Sequence, residues 1–459
     1  MERCRHYNRG GIRILKQPIK HKTQMKIKNI LIVCSAVIAS TYQVFAQGVT
    51  FTNQTFNVGS EPAFAALADI FGNGKLALVS ANSGGGGGNT LTVLTNNGSG
   101  AYILNTTLTV GQNPQTVVAA DVNGDGKLDL ICGNDGAGTL TVLTNNGSGV
   151  FGFNATLPVG QNPQCVVAAD VNGDNKLDLI SANNYVNTLT VLTNNGSGVF
   201  SLSATLNAGN VPFSIIAADI NGDSKLDLIC ANYNDNTLTV FTNNGSGVFG
   251  FNATLNVGAN PTCVIAADLR GSGHKDLISA NSGGNSLTVY TNNGNGVFGL
   301  NATITTVGSR PFSVAAADVN GDGKLDLISG NNTAATLTVL TNNGSGVFGF
   351  NATLNVGNGP YCVLAADVNG DGKPDLICVN NLDSTVTVLY NTTVFPPPLL
   401  GIGAYGNQSV LFWPASATNY VLQTTTNLSS PNWVTTSNGT IFTAVGFTNS
   451  SPAQFFRLH

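Results

Sequence analysis

Apolar positions along this chain come in short runs, and none sustains the i, i+3, i+4 spacing of an amphipathic helix. The runs alternate or form brief Val/Leu/Ile blocks bounded by Gly, Asn and Asp. One stretch reads PQCVVAADVNGDNKLDLISANNYVNTLTVLTNNGSGVFSLSATLNAG. It holds four β-type runs, CVVAAD, LDLISA, TLTVLTN and FSLSATLNA, separated by the turn signals NGDN, NNYVN and NNGSG. The pattern predicts an all-β protein built from four-strand units.

The unit recurs. Aligned on the first Asp of DVNGD, it begins at Asp69, Asp121, Asp170, Asp219, Asp268, Asp318 and Asp367, at intervals of 52, 49, 49, 49, 50 and 49 residues. Seven units of four strands predict a seven-bladed β-propeller. We label the strands of a blade A to D from the channel outward. TFTNQTFNVG (Thr50–Gly59) matches strand D but precedes the first strand A, and the last unit stops after its strand C at TVTVLYN (Thr385–Asn391). Pairing these two segments would close the ring and remove two exposed sheet edges.

The repeat divides the chain. Residues 1–46 are read as an N-terminal extension and signal peptide, with Met25 as the expected start. Lys26 and Lys28 precede an apolar stretch from about Ile30 to Ala39, and Val44-Phe45-Ala46 supplies a cleavage site. That stretch is short for a membrane span, so the mature chain is expected to have none and to be secreted or held at the cell surface. Residues 47–392 form the propeller, 393–400 a Pro-rich linker, and 401–459 a small β-sandwich-like, fibronectin-III-like module punctuated by Trp413, Tyr420 and Trp433. Removing 1–46 leaves ten basic and twenty-two acidic residues. A basic nucleic-acid footprint is therefore excluded.

Fifteen of those acids sit in five ten-residue motifs, among them DVNGDGKLDL at Asp121–Leu130. Asp121, Asn123, Asp125 and Asp129 occupy positions 1, 3, 5 and 9, and Gly124 and Gly126 permit a sharp bend. Hard oxygens spaced two apart on a tight loop suit Ca²⁺, with the Lys127 carbonyl as a further ligand. The spacing is similar to the start of an EF-hand loop. Position 12 is Cys132, however, where an EF-hand places Glu, and strands flank the loop. A bare Asn-Gly hairpin turn would need no carboxylates at positions 1, 5 and 9.

These units resemble FG-GAP/VCBS repeats, the blade type of the integrin α-subunit propeller, whose A–B hairpins bind Ca²⁺. The resemblance covers about residues 50–392, and VFGFNATLNVG takes the place of the FG…GAP stretch although the GAP is not literal. It implies five structural calcium ions. In the second blade the ligands are Asp121, Asn123, Asp125, Lys127 and Asp129; in the third, Asp170, Asn172, Asp174, Lys176 and Asp178. The fourth blade would use Asp219, Asn221, Asp223, Lys225 and Asp227. The sixth would use Asp318, Asn320, Asp322, Lys324 and Asp326, and the seventh Asp367, Asn369, Asp371, Lys373 and Asp375. The first loop departs with Phe71 and Ala77, and the fifth with Arg270 and Ser272, where the Arg cation is expected to replace the metal.

The A–B and C–D hairpins, NGDGK and NNGSG, are monotonous and share one face of the disc. The B–C and D–A connections share the other and vary, which suits a ligand surface. Tyr185, Tyr233, Phe213, Phe312, Tyr361 and Arg310 fall there and suit an extracellular glycan or protein, although Phe213 and Phe312 could instead plug the channel. Catalysis is poorly supplied, with no nucleophile–base arrangement, so the expectation is a monomeric binding or adhesion protein and not an enzyme. A carbohydrate-active enzyme using Asp135, Asp235 or Asp383, or a purely structural matrix protein, is the alternative. The spacings Cys132–Cys165 and Cys230–Cys263 permit bridges between blades. Cys362 and Cys378 do not fit that scheme, which favours buried thiols.

Overall fold

The computed structural model describes residues 48–394, together with the backbone of short strands at 25–26 and between 401 and 458. Residues Ala46–Val394 form one compact unit of seven four-stranded antiparallel sheets. This is the seven-bladed β-propeller expected from the repeat. Six blades take four consecutive strands; the third, for example, uses Pro163–Ala169, Asp178–Asn183, Thr188–Asn194 and Phe200–Asn207 as its strands A to D.

The seventh blade takes A, B and C from Pro360–Ala366, Asp375–Asn380 and Thr385–Asn391, and its D strand from Phe51–Asn57. The closing register runs from Phe51 opposite Asn391 to Asn57 opposite Thr385 without a break. The other six D strands each carry a bulge, such as the extra Asn154 between Phe153 and Ala155. The closing segment omits this extra residue, so its pairing stays regular. Its start is tied to the sixth blade by Val49 N–H donating to Asn351 Oδ1 at 3.1 Å.

Strand position explains the sequence pattern. Strands B of every blade are buried at all six residues, because neighbouring blades cover both faces of the sheet. They therefore read as near-continuous apolar runs. Strands D form the outer rim, and Phe200–Asn207 alternates between exposed and half-buried positions as one face meets solvent. The core lies between blades. Ile131, Leu140 and Val142 of the second blade pack on Val166, Leu179 and Leu192 of the third. The seam is packed in the same way, with Ala65 and Leu78 of the first blade on Ile377 and Val388 of the seventh.

A polar clamp repeats beside this core. The buried Asn ending each strand C donates its side-chain N–H to a backbone carbonyl in the preceding blade's A–B loop. Asn145 reaches Ile70 at 2.7 Å, Asn194 reaches Val122 at 2.8 Å and Asn391 reaches Val319 at 2.9 Å. Asn96 reaches Val368 at 2.7 Å across the seam, so the clamps run round the whole ring.

Cys132, Cys165, Cys230, Cys263, Cys362 and Cys378 are all free. The two bridges allowed by spacing are not formed. Cys132, Cys230 and Cys378 instead fill the inter-blade core, and burial raises all six thiol pKa values.

In the second unit, Gly401–Tyr405, Gln408–Phe412 and Ala444–Thr448 form a three-stranded antiparallel sheet. A four-stranded sheet orders Met25–Lys26, Phe455–Leu458, Leu422–Thr425 and Val434–Thr435. The expected leader core and cleavage site, the linker at 395–400, and Trp413, Tyr420 and Trp433 lie outside the described residues. Among the described residues no helix is long and apolar enough to cross a membrane.

Candidate functional site

The five carboxylate-rich loops lie between strands A and B, where the sequence places them. In the second blade the Asp121 carboxylate accepts N–H bonds from Gly124, Asp125 and Gly126 at 2.8–3.2 Å. Asn123 accepts from Asp125 N–H, and Asp125 from Lys127 N–H, each at 3.0 Å. Position 6 is left-handed in all five: Gly126, Gly323 and Gly372 adopt it freely, and Asn175 and Ser224 adopt it at φ 62° and 65°. The same bonding repeats on Asp170, Asp219, Asp318 and Asp367. It also holds Asn172–Asp174, Asn221–Asp223, Asn320–Asp322 and Asn369–Asp371.

Position 9 does something different. Asp129 is fully buried and accepts N–H bonds from Val122 at 3.2 Å and Asn145 at 2.8 Å. It thus links the A–B loop to the clamp Asn of the C–D loop. Asp178, Asp227, Asp326 and Asp375 repeat the arrangement. Burial first, then the loop's two other carboxylates, push these acids upward, Asp326 to about 7 and Asp375 to about 6. Lys127, Lys176, Lys225 and Lys324 lie 3.3–3.7 Å from Asp125, Asp174, Asp223 and Asp322. Among the described residues no three acidic, thiol or imidazole groups are gathered as a ready-made metal cluster.

The two departing loops diverge in kind. In the fifth blade Arg270 donates to both oxygens of the position-9 acid Asp276, at 2.9 and 3.2 Å, and to the Asn292 carbonyl at 2.8 Å. A fixed cation therefore stands against the buried carboxylate. In the first blade Phe71 packs on the apolar cluster around Ile70, and Asp69 only caps its own turn, accepting from Asn73 and Gly74 N–H.

The opposite face brings together five of the six ligand-surface residues expected there. Phe213, Phe312 and Tyr361 are each the second residue of an innermost strand, in the fourth, sixth and seventh blades. The fifth blade has Thr262 at that position, and its hydroxyl donates to the Phe312 carbonyl at 2.8 Å. This small residue leaves a gap that the rings bridge. Phe213 meets Phe312 edge-on at 5.6 Å between centroids, Phe312 meets Tyr361 at 4.0 Å, and Phe213 meets Tyr233 at 5.8 Å. Arg310 lies over Phe312 with Cζ 5.7 Å from the ring centre. Phe312, 5% exposed, is the centre of the cluster, while Phe213, Tyr233 and Tyr361 keep part of their surface open. Burial pushes the Tyr361 phenol up to about 12 although Arg310 acts the other way. Tyr185 stands apart at the tip of its loop, 72% exposed and without a ring contact.

A cavity of about 420 Å³, lined by none of these cluster residues, lies among Phe64, Leu67, Val118 and Leu364 of the innermost strands of the first, second and seventh blades. The three acids of the B–C loops are occupied. Asp135 accepts from Asn113 Nδ2 at 2.6 Å and Gln164 Nε2 at 3.0 Å. Asp235 accepts from Asn210 N–H, and Asp383 from Asn358 N–H, each at 2.6 Å. Each braces a B–C loop against a D–A turn. Sequence reasoning missed these braces and the Asn clamps. The recurrent Asn before NG in the C–D loops was the available signal for the clamps.

Segments matching the FG-GAP-like repeat run without a gap from residue 69 to 378: 69–132, 121–181, 170–230, 219–279, 268–329 and 318–378. The chain belongs to the FG-GAP-like repeat family. No curated protein matches it. Among solved structures it is similar to BBS1N crystallised in complex with ARL6DN, at 11% identity and TM-score 0.55, over 76% of this chain and 99% of that one. A candidate 6-phosphogluconolactonase of Bacteroides fragilis matches at 14% identity and TM-score 0.53, over 66% and 86%. A Lactobacillus plantarum protein matches at 16% and 0.52, over 68% and 98%. At these identities the likeness is one of fold.

Proposed function

We propose that this chain is an exported, calcium-stabilised propeller that binds an extracellular glycan or protein on its variable face, as a monomeric adhesion or recognition module rather than an enzyme. The observation that carries the reading is the convergence of Phe213, Tyr233, Phe312, Tyr361 and Arg310 at one channel mouth. Part-open aromatic faces with a polar surround suit sugar rings and peptide side chains alike. Asp135, Asp235 and Asp383 sit on different blades and each is spent on a loop brace, which speaks against a carboxylate pair for hydrolysis.

Calcium would be held by the positions 1, 3, 5 and 9 side chains and the Lys carbonyl of the second, third, fourth, sixth and seventh loops. The donor set is all hard oxygen, as Ca²⁺ prefers. The fifth blade supports the placement, because Arg270 puts positive charge against the position-9 acid where the metal ligands are missing. Such a cation would relieve the repulsion among each loop's three carboxylates.

Elemental analysis of the purified protein should find about five calcium ions per chain; fewer than three would sink the metal assignment. A glycan array read together with turnover assays tests the rest. Binding without turnover is the expected result, and turnover would replace the reading with an enzymatic one.

A further inference from the structure

The D–A turn places one residue per blade in the left-handed region just before the strand A proline. Asn113, Asn162, Asn260 and Gly359 occupy it with residue types that tolerate it. Glu61, Val211 and Arg310 do not belong to those types, yet adopt φ of 44°, 59° and 57°. Among these exceptions only Arg310 brings a charge to the aromatic cluster. The Arg310 N–H is held by Asn285 Oδ1 at 2.8 Å, which fixes the turn.

Arg310 is also alone in sign. Among the described residues the eight other Lys and Arg side chains all lie in A–B loops on the opposite face. Its exposed guanidinium makes no ion pair among the described residues, whereas the ion pairs of the A–B loops join a Lys or Arg to an Asp of the same loop. The acids nearest in function are committed to loop braces. Beside it, the hydroxyls of Tyr233 and Tyr361 make no hydrogen bond among the described residues, although half-buried tyrosines usually find a partner.

We infer that this mouth recognises an acidic saccharide, whose carboxylate or sulfate pairs with Arg310 while its ring lies on the Phe213–Tyr233 and Tyr361 surfaces and its hydroxyls meet the two phenols. The inference rests on the proposed binding function and adds the ligand's charge and chemistry. A guanidinium fork matches a planar carboxylate or a sulfate edge. Aromatic faces and phenols match a polyhydroxylated ring better than an apolar peptide side chain.

The test measures Kd by calorimetry for four probes: a galacturonate trisaccharide, its methyl ester, a sulfated galactose oligosaccharide, and a short peptide with an acidic C-terminus. Binding is compared in the full chain and in Arg310→Gly. Glycine is the residue the seventh blade already uses at this position, as Gly359, so the variant should fold, and its thermal midpoint checks that. We expect one or both anionic saccharides to bind at least about tenfold more tightly than the methyl ester, with Arg310→Gly erasing the difference between acid and ester. The galacturonate and sulfate arms identify which anion is preferred. Equal binding of ester and acid, or a preference that survives Arg310→Gly, overturns the inference while leaving a glycan site standing. Binding of the peptide alone overturns the saccharide assignment. If the saccharides and peptide all fail to bind, the inference falls, and the broader binding function falls with it only if the glycan array is also silent.

Discussion

The two faces of the disc use the same polar residues for opposite ends. On the A–B/C–D face, Asp, Asn and Lys repeat in register, and nearly every one has a structural partner. Asp129 holds Asn145, which in turn holds the Ile70 carbonyl of the preceding blade. On the B–C/D–A face the residues differ from blade to blade, and one mouth concentrates aromatic rings, two phenols and a guanidinium that have no hydrogen-bond or ion-pair partner among the described residues. Repetition marks the face where each blade must solve the same joining problem. Variation marks the face where blades are free to differ, and there groups committed to loop braces stand beside groups with no partner among the described residues.

The contrast breaks most severely if the ring itself is opened. Deleting Thr50–Gly59 removes the closing strand and uncovers the Thr385–Asn391 edge, whose buried side chains then meet water. The expected outcome is aggregation or loss of a cooperative thermal transition, read by calorimetry and light scattering. A monomeric deletion variant as stable as the parent would show that closure contributes little.

On the proposed reading, metal removal would act on the repetitive face alone. Chelation should lower the thermal midpoint markedly and leave circular dichroism of the strands β-like below it. The pH dependence should invert with metal. Without calcium, acids such as Asp326 hold protons in the folded state up to about pH 7, whereas their unfolded pKa is 3.8. Between those values the folded chain binds more protons than the unfolded chain, so stability falls as pH rises. With calcium, ionised ligands are required, and stability should instead rise over the same window. A midpoint that ignores both chelator and pH would contradict the carboxylate account.

A smaller effect is expected where an arginine stands against the buried acid. Arg270→Ala leaves the fully buried Asp276 without its ion pair, for a loss of about 2–3 kcal/mol in denaturant unfolding, discounted because Arg270 is partly exposed. Restoring ligands with Arg270→Asn and Ser272→Asp should recover stability only when calcium is present. Recovery without calcium would mean the fifth loop never needed a cation.

The smallest stability change, and the sharpest functional one, belongs to the variable face. Tyr233→Ala should weaken ligand binding by about 1–3 kcal/mol with little change in the thermal midpoint. Tyr185→Ala, remote from the cluster, should change binding far less, and Ser148→Ala on the other face not at all. Loss of binding in the Ser148 variant with retention in the Tyr233 variant would place the ligand on the wrong side of the disc for this account.

The sequence by itself determined the blade count, the four strands per blade and the spare strand at the N-terminal side, because a period near 49 residues and period-two alternation are local properties. It also marked the fifth loop as different, with Arg270 and Ser272 where the other loops carry oxygen ligands, while the choice of Asp276 as the partner of Arg270 came from the structure. Only the tertiary structure decided what meets across blades. Phe213 and Phe312 are 99 positions apart and touch because Thr262 leaves room between them. Tyr185 has the same residue type and the same face as Tyr233, but its loop carries it away from the mouth. Asp135, read as a candidate acid, is a brace because Asn113 reaches it from a D–A turn and Gln164 from the third blade's strand A. The thiols stay apart for the same reason: spacing along the chain fixes the blade and strand of a cysteine, while packing between blades fixes which way its sulfur points.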